Sequence, residues 1–432
     1  MLNLANDSAQ SVAVFINDFD QEFADGLNKL ASELGRPLKG VILIDTEVIN
    51  QGHNVADKNK VFESVVCDFS SPTSIQAALK PFRDNILLAT CSSERNQPYL
   101  AKLIPHIPYV LEPTESSLEW ATHKSKMREM LASYNPALTP KVQDVVNDSG
   151  EEIQKVLSRL SFPMIAKPTG LASSMLVSKA HNQKELTQVL KRSFALIDII
   201  YARDKGRGKP SMIVEEFIEG DMYSVDAYVT HAGDVWLLPF LRSLTAHTIG
   251  QEGFHIHQVN SNLELDAKAI ESGNFAAAQA IHALALRSCV VHLELFYTSD
   301  GWKIIELGPR AGGQRQEMYY TAYGIDHAYN ELRLKIGLVP EINTIPIAHS
   351  SAVYFYADEE GVIDRIEGFE ESAARPSTYK LTLHANRGDV AVSSSNGGKF
   401  IVRGVIHHTD PSQLQRDVDT LRSTIKIHTK KV

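Results

Sequence analysis

The chain opens with short apolar runs set apart by longer segments of helical periodicity. Ser11-Val12-Ala13-Val14-Phe15-Ile16 is a continuous apolar run of strand length, and a helix is expected over residues 20–34. Further strands are expected at Val41–Asp45, Val61–Asp68 and Asn85–Thr90, with helices over 73–80 and 95–104. Apolar strands alternating with helices describe a parallel sheet covered on both faces. No G-x-G-x-x-G follows the first strand, where Asn17-Asp18-Phe19-Asp20 stands instead. The sheet is therefore Rossmann-like in outline, and the sequence argues against a dinucleotide site.

Three prolines within Pro105–Pro113 mark a joint. A helix is expected over Ser117–Ser133, with Leu118, Met127, Met130 and Leu131 among its apolar positions. Strands and helices then alternate less regularly to about residue 340. From Ile345 onward the pattern turns β-rich, in Ser351–Tyr356 and Lys399–Ile406, before a last helix over Ser412–Ile425. The fold class expected is α/β followed by α+β, in about three domains for 432 residues.

Composition narrows the classes of function. No apolar stretch reaches the roughly 18 residues of a membrane helix, and the N-terminus lacks a basic region followed by a long apolar run. No membrane partner is expected, and the cytoplasm is the default compartment. A net charge of −9 argues against a nucleic-acid partner, whose phosphates demand concentrated Lys and Arg. The densest basic stretch, residues 204–209, is short and broken by glycine, which describes a solvated loop. Cys67, Cys91 and Cys289 contain no C-x-x-C pair and are too scattered for a disulfide framework or a zinc site.

The most informative chemistry lies in Val290–Tyr297 and Trp302–Gly308, two strand-like runs joined by Ser299-Asp300-Gly301. A three-residue hairpin loop with glycine at its end pairs Thr298 with Trp302. That register sets Glu294 opposite Glu306 and His292 opposite Gly308, all on one face. Directly opposed carboxylates repel, and a divalent cation between them removes the repulsion. Mg²⁺ suits such a pair, because it takes one or two carboxylates and completes its shell with water and phosphate oxygens. A solvated face with two exposed glutamates is the plainer alternative. Beyond Glu306 come Arg310, which can grip a carboxylate or phosphate through two parallel hydrogen bonds, and the flexible pair Gly312-Gly313.

With these residues in view, the sequence resembles the ATP-grasp superfamily, and within it carboxylate–amine ligases such as the bacterial L-amino-acid ligases. The late signature is a metal glutamate followed by E-x-N-x-R-x-G-G; here it reads His292-Leu293-Glu294, then Glu306-Leu307-Gly308-Pro309-Arg310-Ala311-Gly312-Gly313. Three earlier blocks match in order. His123–Arg128 resembles the helix whose lysine reaches nucleotide phosphates, assigned to Lys124 with Lys126 as a neighbour. Phe162–Pro168 resembles the strand carrying a second nucleotide lysine, Lys167, and the loop 169–175 stands where the phosphate flap does, with Ser173 and Ser174 as donors. Met212–Gly220 resembles the hinge that binds the adenine edge, implicating Glu215, Glu216 and Ile218, with Asp226 shortly after.

The resemblance implies an N-terminal Rossmann-like domain over 1–112, a nucleotide-binding core over 113–340 with a mobile lid at about 140–220, and a β-rich domain over 341–432. It implies ATP and Mg²⁺ as cofactors, Glu294 and Glu306 as metal ligands, and Arg310 and Lys167 as catalytic groups. A carboxylate and an amine would be joined through an acyl phosphate, with release of ADP. Homodimers are common in the family. The sequence departs from the pattern at Gly308, where Asn is usual, at Met222, where many relatives are acidic, and in a flap with one glycine. Those departures keep open a relative that binds ATP without catalysis, and the substrate class is open too. His247, Glu252, His255 and His257 fall where related ligases face their substrates, and Gly312 and Gly313 border the same region.

Overall fold

The computed structural model describes residues 10–18, 21–50, 63–171, 175–204, 209–245, 256–260, 263–357, 359–392 and 400–431. The N-terminal part runs β1 (Ser11–Ile16), α1 (Gln21–Leu34), β2 (Leu38–Asp45), α2 (Thr46–Asn50), β3 (Glu63–Cys67), α3 (Pro72–Leu79), β4 (Ile86–Thr90) and α4 (Gln97–Leu103). Its four strands form a parallel sheet in the order β3-β2-β1-β4. Every residue of β1 is buried, as expected of a strand covered on both sides. One face packs on α3 and α4 through Ile75, Leu79, Leu100 and Leu103. The other face packs on α1, and also on Ala328 and Leu332 from far along the chain.

The segment expected as one helix is two, α5 (Glu115–Thr122) and α6 (Lys124–Tyr134), separated by His123 in an extended conformation. The break matters because it places Lys124 at the first position of α6, with its amide donating to Thr169 O at 3.2 Å. A small antiparallel sheet follows, ordered β5-β8-β6-β7, from β5 (Val142–Val145), β6 (Met164–Pro168), β7 (Ser178–Ala180) and β8 (Met212–Glu216). Helices α7 (Gly150–Leu157) and α8 (Gln183–Asp204) cover it, with Ile153, Val156, Leu186 and Leu190 filling its own core.

The central elements are β9 (Asp221–Val229), β10 (Val235–Leu237), β11 (Leu241–Thr245), β12 (Ile256–Val259), α9 (Ala267–Ala283), β13 (Cys289–Thr298), β14 (Gly301–Gly308), α10 (Arg315–Tyr323) and α11 (His327–Lys335). The last part holds β15 (His349–Phe355), β16 (Gly361–Glu367), α12 (Phe369–Ala373), β17 (Thr378–Leu383), β18 (Val390–Ala391), β19 (Val402–His408), α13 (Pro411–Thr424) and β20 (Lys426–Lys430). One nine-stranded sheet runs β14-β13-β9-β11-β12-β15-β19-β17, with β10 attached to β9. Strand β15 pairs antiparallel with β12, so the sheet continues across residue 341, where a domain boundary was expected. No helix among the described residues is long and apolar enough to cross a membrane.

Candidate functional site

Strands β9, β13 and β14 lie side by side, antiparallel, at one end of the large sheet. Alternation sorts their side chains into two faces. On one face Tyr223, Val225, Leu293, Leu295 and Leu307 are buried against Ala277, Ala280 and Ile281 of α9 and Met127 and Leu131 of α6. The other face carries Ser224, Asp226, His292, Glu294 and Glu306.

Glu294 pairs with Glu306, and His292 with Gly308, as the sequence predicts. The route to that register is different. The hairpin closes one residue tighter, with Thr298 paired to Gly301, so the turn is Ser299-Asp300 and Gly301 adopts a φ of 99°. A bulge then restores the lost residue: Leu295 pairs with Ile304 and Glu294 with Glu306, leaving Ile305 unmatched. Without the bulge Glu294 would face Ile305, and Glu306 would turn toward the apolar side.

Cations reach this strand from α6. Lys124, buried, donates from Nζ to Leu171 O at 2.8 Å and to Glu306 Oε1 at 3.1 Å. Four residues on, the fully buried Arg128 donates from Nη1 to Ile304 O at 3.0 Å and from Nη2 to Ile305 O at 2.6 Å. Its Nε donates to Glu215 Oε1 at 2.6 Å, while Lys167 Nζ lies 2.7 Å from Glu215 Oε2. Burial pushes the Glu215 carboxyl up, but the charges of Arg128 and Lys167 overcome it and hold the group at about 2. Burial pulls the Lys167 ammonium below its usual range, with Glu215 opposing. Lys126, the neighbour considered beside Lys124, is exposed and pairs with Glu129 at 3.2 Å, so it does not reach the site.

Asp226 lies behind the glutamates, fully buried. It accepts from Gly312 N at 2.9 Å and contacts His292 Nδ1 at 2.6 Å, with His327 Nε2 at 3.6 Å. Burial raises its carboxyl, and the nearby His292 prevails, holding it at about 2. His292 is pulled down by burial and up by Asp226, with the net shift upward. The other ring nitrogen of His292 lies 3.6 Å from Glu294 Oε1. Burial raises the Glu294 carboxyl and His292 lowers it by more, with the net shift downward.

Gly312 was expected to admit a ligand; its small size serves His292 instead, since a Cβ there would lie 2.5 Å from His292 Nδ1. At Gly313 a Cβ would meet only the Tyr354 hydroxyl, at an ordinary contact distance of 3.8 Å. Arg310 does not stand free to grip an anion: its Nε and Nη2 donate to Glu94 Oε2 at 3.2 and 2.6 Å. Glu94 follows β4, and Gln97, three residues on, donates from Nε2 to Pro309 O at 2.9 Å. The segment after β4, at the point where the parallel sheet reverses its strand order, is therefore tied to Pro309 and Arg310. Arg315, also buried, donates to Ser224 Oγ at 2.8 Å and Gly313 O at 3.0 Å. Arg128, Glu94 and Arg315 were not singled out from sequence.

At the hinge, Glu216 Oε2 accepts from Lys141 N at 2.9 Å and Phe217 N donates to Pro163 O at 3.2 Å. Ile218 follows, and the segment ends at Gly220, where a Cβ would lie 2.3 Å from Tyr297 O. Only glycine lets the hinge rest on β13 this closely. Ser173, Ser174, His247, Glu252 and His255 lie outside the described residues. His257 belongs to β12, paired with Leu244 and Val353, and its side chain is outside them as well.

Among the described residues no cluster of three or more His, Cys, Asp or Glu side chains is placed to hold a metal by itself. The site instead offers two opposed carboxylates, one of them paired with Lys124, while Lys167 on the small sheet pairs with Glu215. Such a donor set fits a hard divalent cation that takes its remaining ligands from water and a polyphosphate. The model of the ATP-grasp domain matches residues 160–318, a span that holds Lys167, the hinge, both glutamates and Arg310. The chain contains an ATP-grasp domain. Lys124 and Arg128 precede the matched span on α6.

The fold is similar to that of an L-amino acid ligase from Bacillus licheniformis, with a TM-score of 0.78 over 98% of this chain and 99% of that one, at 17% identity. In sequence, an uncharacterized protein from Sinorhizobium fredii is 22% identical over 316 residues, 73% of this chain and 62% of its own length. A phosphoribosylamine–glycine ligase from Streptococcus pyogenes is 22% identical over 271 residues, 58% of this chain and 60% of its own. The chain thus spans about three fifths of these curated relatives.

Proposed function

We propose that this ATP-grasp protein is an ADP-forming ligase that joins a small carboxylic acid, such as an amino acid, to an amine. One observation carries the reading: Glu294 and Glu306 are opposed on one sheet face, Lys124 reaches Glu306 from α6, and Arg128 of the same helix ties that strand to Glu215, the partner of Lys167. Acidic pairing of that kind is unfavourable unless a cation is shared, and the lysines add charge for a polyphosphate. The relatives named as ligases support the reaction class.

In this proposal Glu294 and Glu306 hold Mg²⁺, which neutralises charge on phosphate oxygens when bound. Lys124 and Lys167 bind the phosphates, and the hinge at Glu215, Glu216 and Ile218 receives the adenine edge through its backbone. An oxygen of the substrate carboxylate attacks the γ-phosphorus, and the bond to ADP breaks. The amine nitrogen then attacks the carbonyl carbon of the acyl phosphate, phosphate leaves, and the nitrogen gives up a proton. Arg310 leaves Glu94 to orient the acid or the transferring phosphoryl group. The loop 169–175 excludes water from the acyl phosphate.

The test is release of ADP by the full chain with Mg²⁺ and ATP, screened against paired amino acids and other small acids and amines. Acid- and amine-dependent ADP supports the proposal. AMP in place of ADP contradicts it, and tight Mg·ATP binding with no substrate-stimulated ADP across the panel favours a binding protein.

A further inference from the structure

Arg128 is among the largest fully buried side chains of the described residues, and it touches both Glu215, the partner of Lys167, and strand β14, which carries Glu306. Burying a guanidinium is costly unless it is paired and its donors are filled. Here Glu215 supplies the charge, and the carbonyls of Ile304 and Ile305 take two further donors. Those carbonyls belong to the bulge and the residue before it. Strand β14 is the edge of the nine-stranded sheet, and the bulged residue has no partner across the ladder, so its polar groups need another source of hydrogen bonds.

The bulge is what turns Glu306 onto the same face as Glu294. A group that favours the bulged register over the unbulged one therefore decides whether the two carboxylates meet. We propose that Arg128 is a positioning residue that locks this register. Resting on the function proposed above, it thereby couples the metal carboxylates to the nucleotide lysine through Glu215. The placement is economical: Lys124 and Arg128 lie four residues apart on α6, so one helix face supplies a direct contact to Glu306 and the clamp on the strand carrying it. Arg128 touches no reacting atom in this account and acts through others.

The proposal predicts a split that a general packing role would not give. Arg128→Gln removes the charge and its forked donors from the bulge but leaves the Lys167–Glu215 pair. Glu215→Gln leaves the bulge bonds and disturbs Lys167. Affinities of the full-length chain for ADP alone and for Mn²⁺ in the presence of ADP are measured by titration calorimetry and manganese EPR. Hydrogen exchange is followed on a peptide spanning 301–308.

Arg128→Gln is expected to weaken Mn²⁺ binding about tenfold or more, the scale seen when a group supporting a metal ligand is lost. Affinity for ADP alone should stay within about threefold, and exchange should accelerate in 301–308 ahead of the rest of the sheet. Glu215→Gln is expected to reverse the pattern, with ADP affinity falling more than Mn²⁺ affinity. If Arg128→Gln does not fold, Arg128→Lys carries the same comparison, since it keeps the charge and loses the fork. Equal losses of ADP and Mn²⁺ affinity in the Arg128 variant, or unchanged exchange in 301–308, overturn the proposal. Failure of the unaltered chain to bind ADP and Mn²⁺ at all would instead remove the proposed function, and the exchange experiment would still decide the role of Arg128.

Discussion

The two faces of the β9-β13-β14 sheet are built from the same three strands and obey opposite rules. The apolar face is filled by Tyr223, Val225, Leu293, Leu295 and Leu307, each buried and each interchangeable in principle with another side chain of similar volume. The polar face concentrates Asp226, His292, Glu294 and Glu306, each with a particular partner at a particular distance. Packing resides on the first face, and the proposed function places the chemistry on the second. A one-residue slip of β14 would exchange them, which is why the bulge beside Glu306 matters more than its size implies.

The largest expected effect comes from breaking the polar face alone. Glu306→Gln should lower substrate-dependent ADP release by roughly 10²–10³-fold, the range for losing one group that stabilises transferring charge. Its thermal midpoint should move little, because the carboxylate is partly exposed and contributes nothing to the apolar packing. Breaking the apolar face alone should do the reverse. Leu293→Ala, in the middle of β13, should cost about 2–5 kcal/mol in denaturant unfolding while the remaining folded protein keeps its activity.

A smaller effect should appear in acid. The Glu215 carboxyl is held at about 2 by Arg128 and Lys167 against the pull of burial, below its ordinary 4.5. A lowered carboxyl pKa adds stability that is complete above the unfolded value and lost as the pH falls toward the folded one. Unfolding free energy should therefore drop by about 3 kcal/mol between pH 4.5 and 2 on account of this group. Glu215→Gln should remove that part of the slope, measured as the difference between the two unfolding curves across pH. The smallest effect should be that of Lys126→Ala. Lys126 is exposed and pairs with Glu129 on the helix surface, so stability should change by about 0.5 kcal/mol or less and ADP affinity not at all. Lys124→Ala, two residues earlier, should weaken ADP binding clearly.

How far the sequence revealed this molecule depends on the distance between the groups involved. The parallel N-terminal sheet followed from apolar runs such as Ser11–Ile16, because a strand buried on both faces has its composition fixed locally. The pairing of Glu294 with Glu306 was legible because a hairpin is a local structure, even though the turn was one residue shorter and a bulge made up the difference. Hairpin loops and bulges trade against each other without changing the alternation on either side, so apolar patterning alone cannot distinguish them.

The supporting contacts were not legible for the opposite reason. His292 meets Asp226 across 66 residues, Arg128 meets Glu215 across 87, and Arg310 meets Glu94 across 216. No local pattern encodes such pairs. One signal was present: Arg128 falls four residues after Lys124, on the same helix face, and its neighbours Met127 and Leu131 are core positions. An arginine at the border of a buried helix face requires a countercharge, and that requirement points to a partner even where it does not name one.

The most direct test of the central claim is diffraction from crystals of the full chain grown with Mn²⁺ and a non-hydrolysable ATP analogue. The account predicts an anomalous peak between the carboxylates of Glu294 and Glu306, with the analogue's terminal phosphates on the same ion and Lys124 and Lys167 on the phosphates. Analogue bound elsewhere, or bound here with the two carboxylates turned apart and manganese absent between them, would contradict it.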